Sequence, residues 1–277
     1  MKKYILSLLI LFFISSGSLQ AQNRSLKQVM ELQMPKKKGD TLCGTRGGSV
    51  CWNPVTKKYY AAFCGNSKFP MGVFNAAGKR LSGDTLTTLQ DIRGIWYDPA
   101  AKVLMANGYN DIGWISYTLN SSGIPTLANN KFTGMNQPDV QSVGAYDARL
   151  KFIFFLDKSR VMLHENFSDM LARVEDSVQI HWGRNKADGP GNYENEFDEN
   201  ADYNNTNVIA TGIKDAEFGF LNTAAKQIEL YDFKEGYLQQ TLKLPETAIV
   251  ESSFNFAFTN GIYWLFDIAN RKWIGYK

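Results

Sequence analysis

Five times along the chain an apolar run, a tight turn and a returning apolar run are followed by a second pair of runs, and this internal repeat constrains the fold more than any other feature. The first copy reads GGSVCWNPVTKKYYAAFC, ending at Cys64, and then PMGVFNAAGKRL. The second is GIWYDPAAKVLMANG with GWISYTLNSSGIPTL, the third GAYDARLKFIFFLD with RVMLHENFSDMLARV, and the fourth VIATGIKDAEFGFLN with QIELYDFKEGYLQQTLKL. The fifth, FNFAFTNGIYWLFD, is followed by one more strand, RKWIGYK. Turn positions fall at Asn53, Asp98, Asp147, about Gly212 and about Asn260, residue types that accept the backbone angles of tight turns. A step near 45 residues with four short strands per unit predicts an all-β chain folded as a β-propeller, because one small sheet cannot bury both faces alone. Five blades are expected; a sixth could hide in the long step between the third and fourth turns.

The last copy lacks a fourth strand. Ser25–Met34 places Leu26, Met30, Leu32 and Met34 on one face at period 2, so this segment is expected to supply the missing outer strand and close the ring. Ahead of it, Lys2 and Lys3, an apolar run from Tyr4 to Ile14 and small residues up to Ala21 read as a signal peptide over 1–21, cut after Ala21. The run is too short to cross a bilayer, and no later segment is apolar enough. The expected organisation is therefore a signal at 1–21 and one secreted or periplasmic propeller domain at 22–277. Without the two signal lysines, 28 basic side chains face 27 acidic ones, a balance with no footprint for nucleic acid.

The strand-turn-strand units resemble the degenerate repeats of propeller families such as the NHL and SMP-30-like groups. The resemblance spans the chain from about Gly48 to Lys277 and rests on turns and alternation; it implies a fold and places no catalytic residue.

The long third step is explained by an inserted loop, His181–Thr206, rich in Asn, Asp, Glu and Gly. It is expected at the end of the ring that also gathers Cys43–Gly47, Leu89–Arg93, Gln137–Gln141 and Pro245–Ser252. Long loops in compact domains are commonly functional, so this face is the expected recognition surface, with Arg46, Arg93, His181, Trp182 and Tyr193 meeting an unknown protein or carbohydrate ligand. Asp198, Asn200 and Asp202 stand at alternate positions like the opening of a calcium loop, but Tyr203 and Ile209 occupy the places of its glycine and closing glutamate, which excludes an EF-hand and leaves an irregular Ca²⁺ site as the only cofactor reading.

Three cysteines in an oxidising compartment predict one disulfide and one free thiol. Pairing Asn53 with Lys58 sets Cys64 opposite Gly47, so Cys43 with Cys64 is the expected bond. His164 and His181 are too few for zinc or for a Ser-His-Asp machine, and His164 reads as structural. The reading is a secreted binding module. The alternative is a carbohydrate-active hydrolase or lyase using Asp91, Asp139 and Glu251, each set before an innermost strand and aimed at the axis. Trp52, Trp96 and Tyr97 could stack on sugars, although packing between blades suits strand aromatics better.

Overall fold

The computed structural model describes residues 22–35, 46–165, 174–188 and 201–277. The described residues open with two strands, β1 (Gln22–Ser25) and β2 (Gln28–Gln33), and five sheets follow in sequence order. Blade 1 holds β3 (Gly47–Asn53), β4 (Lys58–Phe63) and β5 (Met71–Asn75). A single bridge from Phe74 to Arg80 takes the place of its fourth strand. Blade 2 is β6 (Ile92–Asp98), β7 (Val103–Gly108), β8 (Trp114–Leu119) and β9 (Pro125–Phe132). Blade 3 is β10 (Ala145–Asp147), β11 (Phe152–Asp157), β12 (Arg160–Glu165) and β13 (Val174–Gln179). Blade 4 is β14 (Ile209–Ala210), β15 (Phe218–Asn222), β16 (Gln227–Tyr231) and β17 (Leu238–Lys243). Blade 5 joins β18 (Phe256–Thr259), β19 (Ile262–Asp267) and β20 (Lys272–Tyr276) to β2.

The innermost strands neighbour one another in the cyclic order β3, β6, β10, β14, β18 and back to β3, which makes the molecule a five-bladed β-propeller. Each interface between blades has its own apolar core. Cys51, Tyr60 and Val73 meet Ile95, Leu104 and Ile115 between blades 1 and 2, and Trp96 and Trp114 meet Ile153 and Phe155 between blades 2 and 3. Phe154 and Leu163 meet Phe218 and Tyr231 next, then Leu221 and Leu242 meet Leu265 and Ile274, and Phe266 and Trp273 meet Tyr59 and Phe63 at the seam.

The predicted turns recur for a chemical reason. The Oδ1 atoms of Asn53, Asp98 and Asp147 accept backbone N–H bonds from the residues two and three positions on, and a lysine in left-handed backbone, Lys57, Lys102 or Lys151, completes each turn.

Closure follows the expectation and extends it. β2 runs antiparallel to β20, with Leu32 and Met34 buried and Val29 facing solvent. β1 runs parallel to β17, and between the two strands Leu26 is buried among Leu242, Ile274 and Tyr276. The N-terminal segment thus covers the outer edges of blades 4 and 5 together.

Candidate functional site at the propeller axis

The two ends of the ring differ in how the innermost strands meet. At the end where those strands begin, and where the inserted segment leads into β14, hydrogen bonds cross every interface. Cys64 Sγ donates to the Arg93 carbonyl at 3.4 Å. Asn107 Oδ1 accepts from both Gly94 and Gly144, at 2.9 and 3.0 Å. The Val143 N–H donates to the Thr206 carbonyl. Asn204 Nδ2 reaches the Phe254 carbonyl at 2.8 Å, and Asn207 Nδ2 reaches that of Phe256 at 2.7 Å. The Gly47 N–H gives 2.6 Å to Asn255 Oδ1. Cys64, Val143 and Phe254, from three different blades, bury against one another there. The strands approach so closely that a Cβ on Gly94 would lie 2.5 Å from the Gly144 carbonyl oxygen. Side-chain amides suit this plug, since one Asn both accepts and donates across a seam.

Further along, the strands enclose a cavity of about 100 Å³ lined by all five. Residues near the turn end of each innermost strand line it, among them Trp52, Tyr97, Tyr146, Ala210 and Phe258, the first three one place and the last two about two places before the turn positions read from the sequence. Four of these five are aromatic, a collar at the end away from the insertion whose rings also pack into the seams between blades, Tyr97 as a core member and Trp52, Tyr146 and Phe258 partly buried. The sequence carried that signal at Trp52 and Tyr97; Tyr146 emerges once the repeats are superposed on their turns, and Phe258 only from the pairing of Thr259 with Ile262 at the end of β18.

The residues expected to act at the insertion face are largely engaged in structure. Arg93 is 3% exposed; its Nη1 donates to Asp91 Oδ1 at 2.6 Å and to the Ile92 carbonyl, its Nε donates to Gln141 Oε1, and its guanidinium lies over the Tyr109 ring. Asp91 also accepts the Gly65 N–H. Asp139 is exposed and accepts the Gln141 N–H in its own turn, while Glu251 offers its main-chain carbonyl to Asn204. Arg46 is exposed, with its guanidinium over the Phe254 ring. His181 stacks on Tyr237 at 4.1 Å, and Trp182 is a core residue packed on Tyr203 and Phe220 with its indole N–H on Ser159 Oγ. Tyr193, Asp198 and Asn200 lie outside the described residues; Asp202 is exposed and its carbonyl holds the Thr223 N–H. Among the described residues no group of three or more His, Cys, Asp and Glu side chains is placed to hold a metal ion.

The first hairpin corrects one expectation. Asn53 does pair with Lys58, but a bulge between Gly47 and Ser49 puts Gly47 opposite Phe63, and the Cys64 N–H bonds to the Arg46 carbonyl. The Cys64 sulfur is turned inward against Gly48 and the Arg93 carbonyl; Cys43, its expected partner, lies outside the described residues. Burial pushes the Cys64 thiol up to about 12 and the equally enclosed Cys51 higher still.

No protein-family model matches the chain, and no curated protein matches it in sequence. Solved structures are similar in fold. Glutaminyl cyclase of Myxococcus xanthus superposes with a TM-score of 0.55 at 6% identity, covering 93% of this chain and 98% of that one. An auxiliary nutrient binding protein from Bacteroides thetaiotaomicron gives 0.43 at 11% identity, covering 83% of this chain and 59% of that one. Streptogramin B lyase gives 0.37 at 12%, covering 88% and 67%. Identities this low speak to fold alone, and the first superposition agrees with a five-bladed ring closed over nearly the whole of both chains. The fold and site together define a five-bladed β-propeller with a plugged end and an aromatic-collared end.

Proposed function

We propose that the chain is an exported binding module whose ligand, a carbohydrate, seats on the aromatic collar. The observation that carries this reading is the collar itself: Trp52, Tyr97, Tyr146 and Phe258 stand near the turn ends of four innermost strands and line one axial cavity. Aromatic faces attract the C–H faces of sugar rings, and repetition around an axis offers several platforms to one ligand. The cavity holds about 100 Å³, below the roughly 300 Å³ at which ordinary small-molecule pockets begin, so a saccharide would lie across the mouth and insert a substituent. Three exposed lysines on equivalent turns, Lys57, Lys102 and Lys151, frame that end.

The insertion face, expected from the sequence, is the weaker place for a ligand because Arg93 and Trp182 are already buried in other contacts. The enzyme alternative loses support for a related reason. Asp91 is ion-paired to Arg93, and Asp139 caps its own turn, which leaves no pair of uncommitted acids among the three.

A glycan array followed by calorimetry on the best hit tests the reading. Trp52→Ala and Tyr146→Ala should each weaken binding several-fold, the loss of about 0.5–1.5 kcal/mol of ring stacking, whereas Arg46→Ala should not. Collar variants that bind like the parent, or binding that disappears with Arg46→Ala, would move the site to the insertion face.

A further inference from the structure

A second cavity, of about 260 Å³, lies beside blades 2 and 3 and has no part in the axial site. Met135, on the connection between β9 and β10, lines it together with Asp157, Met162 and His164. His164 is 4% exposed, and neither of its ring nitrogens has a hydrogen-bond partner. Buried polar atoms are nearly always paired, so an imidazole whose two nitrogens are both enclosed and unpaired beside a cavity calls for a partner. Its ring is held edge-on to Phe155 at 5.0 Å and lies 6.3 Å from Trp114, which fixes its orientation without using either nitrogen.

We propose that His164, Met162 and Met135 form a binding site for a soft monovalent metal ion, Cu(I). Met162 and His164 are two residues apart on β12 and therefore share a face of that strand, the face that meets the cavity. Met135 is 47% exposed, so its thioether stands at the solvent side of the cavity, where an arriving ion meets it first. Two thioethers with one neutral imidazole are the donor set that selects Cu(I) over harder ions. Zn²⁺ and Ca²⁺ would need more carboxylate, thiolate or imidazole than this wall supplies, since Asp157 is its one acid. Binding changes no oxidation state; the ion arrives reduced and exchanges water or buffer ligands for the three side chains.

The test is an anaerobic titration of the purified full chain with Cu(I) against bicinchoninate, paired with Ag(I) titration followed by NMR of ¹³C-methyl methionine. One Cu(I) per chain should be withdrawn from the competitor, and one equivalent of Ag(I) should shift the Met135 and Met162 methyls. Met162→Leu and Met135→Leu, which preserve volume, should each weaken Cu(I) binding at least tenfold, and one equivalent of Zn²⁺ should leave both methyls unmoved. The proposal is overturned if the chain takes no Cu(I) from the competitor, if the two methyls stay in place, or if both leucine variants bind as the parent does. Copper held on cysteine would show as uptake with unmoved methyls, which also overturns it.

Discussion

Replacing Leu32 with alanine puts the closure of the ring to a quantitative test. Leu32 is fully buried on β2, opposite Trp273, in a core with Phe266, Trp264 and Met34. Large-to-small changes of this kind cost about 2–5 kcal/mol, and a wall made of aromatic rings collapses poorly into the void, so about 3 kcal/mol is expected. For a domain of this size that is a fall of roughly 6–12 °C in melting temperature. Val29 provides the internal control. It lies on the same strand, 51% exposed, and Val29→Ala should stay within about 0.5 kcal/mol. Urea unfolding followed by tryptophan fluorescence reads both, with a shifted midpoint and an unchanged slope marking a loss of stability. A one-residue slip of β2 would exchange its two faces. If Leu32→Ala costs less than about 1 kcal/mol, or Val29→Ala costs as much as it does, the β2 register is wrong and the ring is closed by something else.

Three further outcomes are expected. Gly94→Ala forces a Cβ to within 2.5 Å of the Gly144 carbonyl oxygen and 2.7 Å of Asn107 Oδ1, and should cost about 2–3 kcal/mol in urea unfolding, whereas Gly83→Ala, with only Thr85 at 4.0 Å, should be silent. In metal-free protein, the His164 imidazole is neutral when folded down to about pH 4 and takes up a proton near 6.5 when unfolded; its contribution is complete above pH 6.5 and falls by up to about 3 kcal/mol toward pH 4, so His164→Phe should flatten the stability profile there, and an identical slope in both proteins would refute it. Native protein treated with iodoacetamide at pH 8 should keep Cys51 and Cys64 unmodified, and both should react after unfolding without reductant; a Cys64 that stays blocked in denaturant would restore the bond to Cys43.

The parts of this fold that could be read from the chain are those whose code is local. Asn53, Asp98 and Asp147 announce their turns because the same short side chain that marks the repeat also caps it. The closing strand was legible because period 2 over Leu26–Met34 has no other use in so short a segment. What was hidden depends on meetings across the ring. The bulge at Gly47 and Ser49, which moves Cys64 by one place, is a backbone adjustment that two glycines permit and nothing nearby requires. Arg93, beside Asp91 in the chain, read as a surface cation until Gln141 and Tyr109 were brought round it from other segments. The plugged end was out of reach for the same reason: Asn107, Asn204 and Asn255 look like loop residues until they bond the backbone of neighbouring blades.

These distant contacts also divide the labour of the molecule. β1 on β17, the Leu26 N–H on the Lys243 carbonyl and the reciprocal Lys27 and Lys277 bonds tie blades 4 and 5 at the outer rim, while the asparagine plug ties all five at one end of the axis. The collar end is tied differently, by side chains between neighbouring blades: the Trp52 N–H donates to Thr259 Oγ1 and Asn260 Nδ2 to the Tyr59 hydroxyl across the seam, and Arg149 pairs with Glu217 between blades 3 and 4. Trp52, Tyr146 and Phe258 are only partly buried against the inter-blade cores, whereas Tyr97 is a core member between blades 1 and 2. Partial burial is the physical reason to test recognition at Trp52, Tyr146 and Phe258, where substitutions are expected to cost less stability than at buried Tyr97, or at Gly94 and Asn107 at the other end of the same strands.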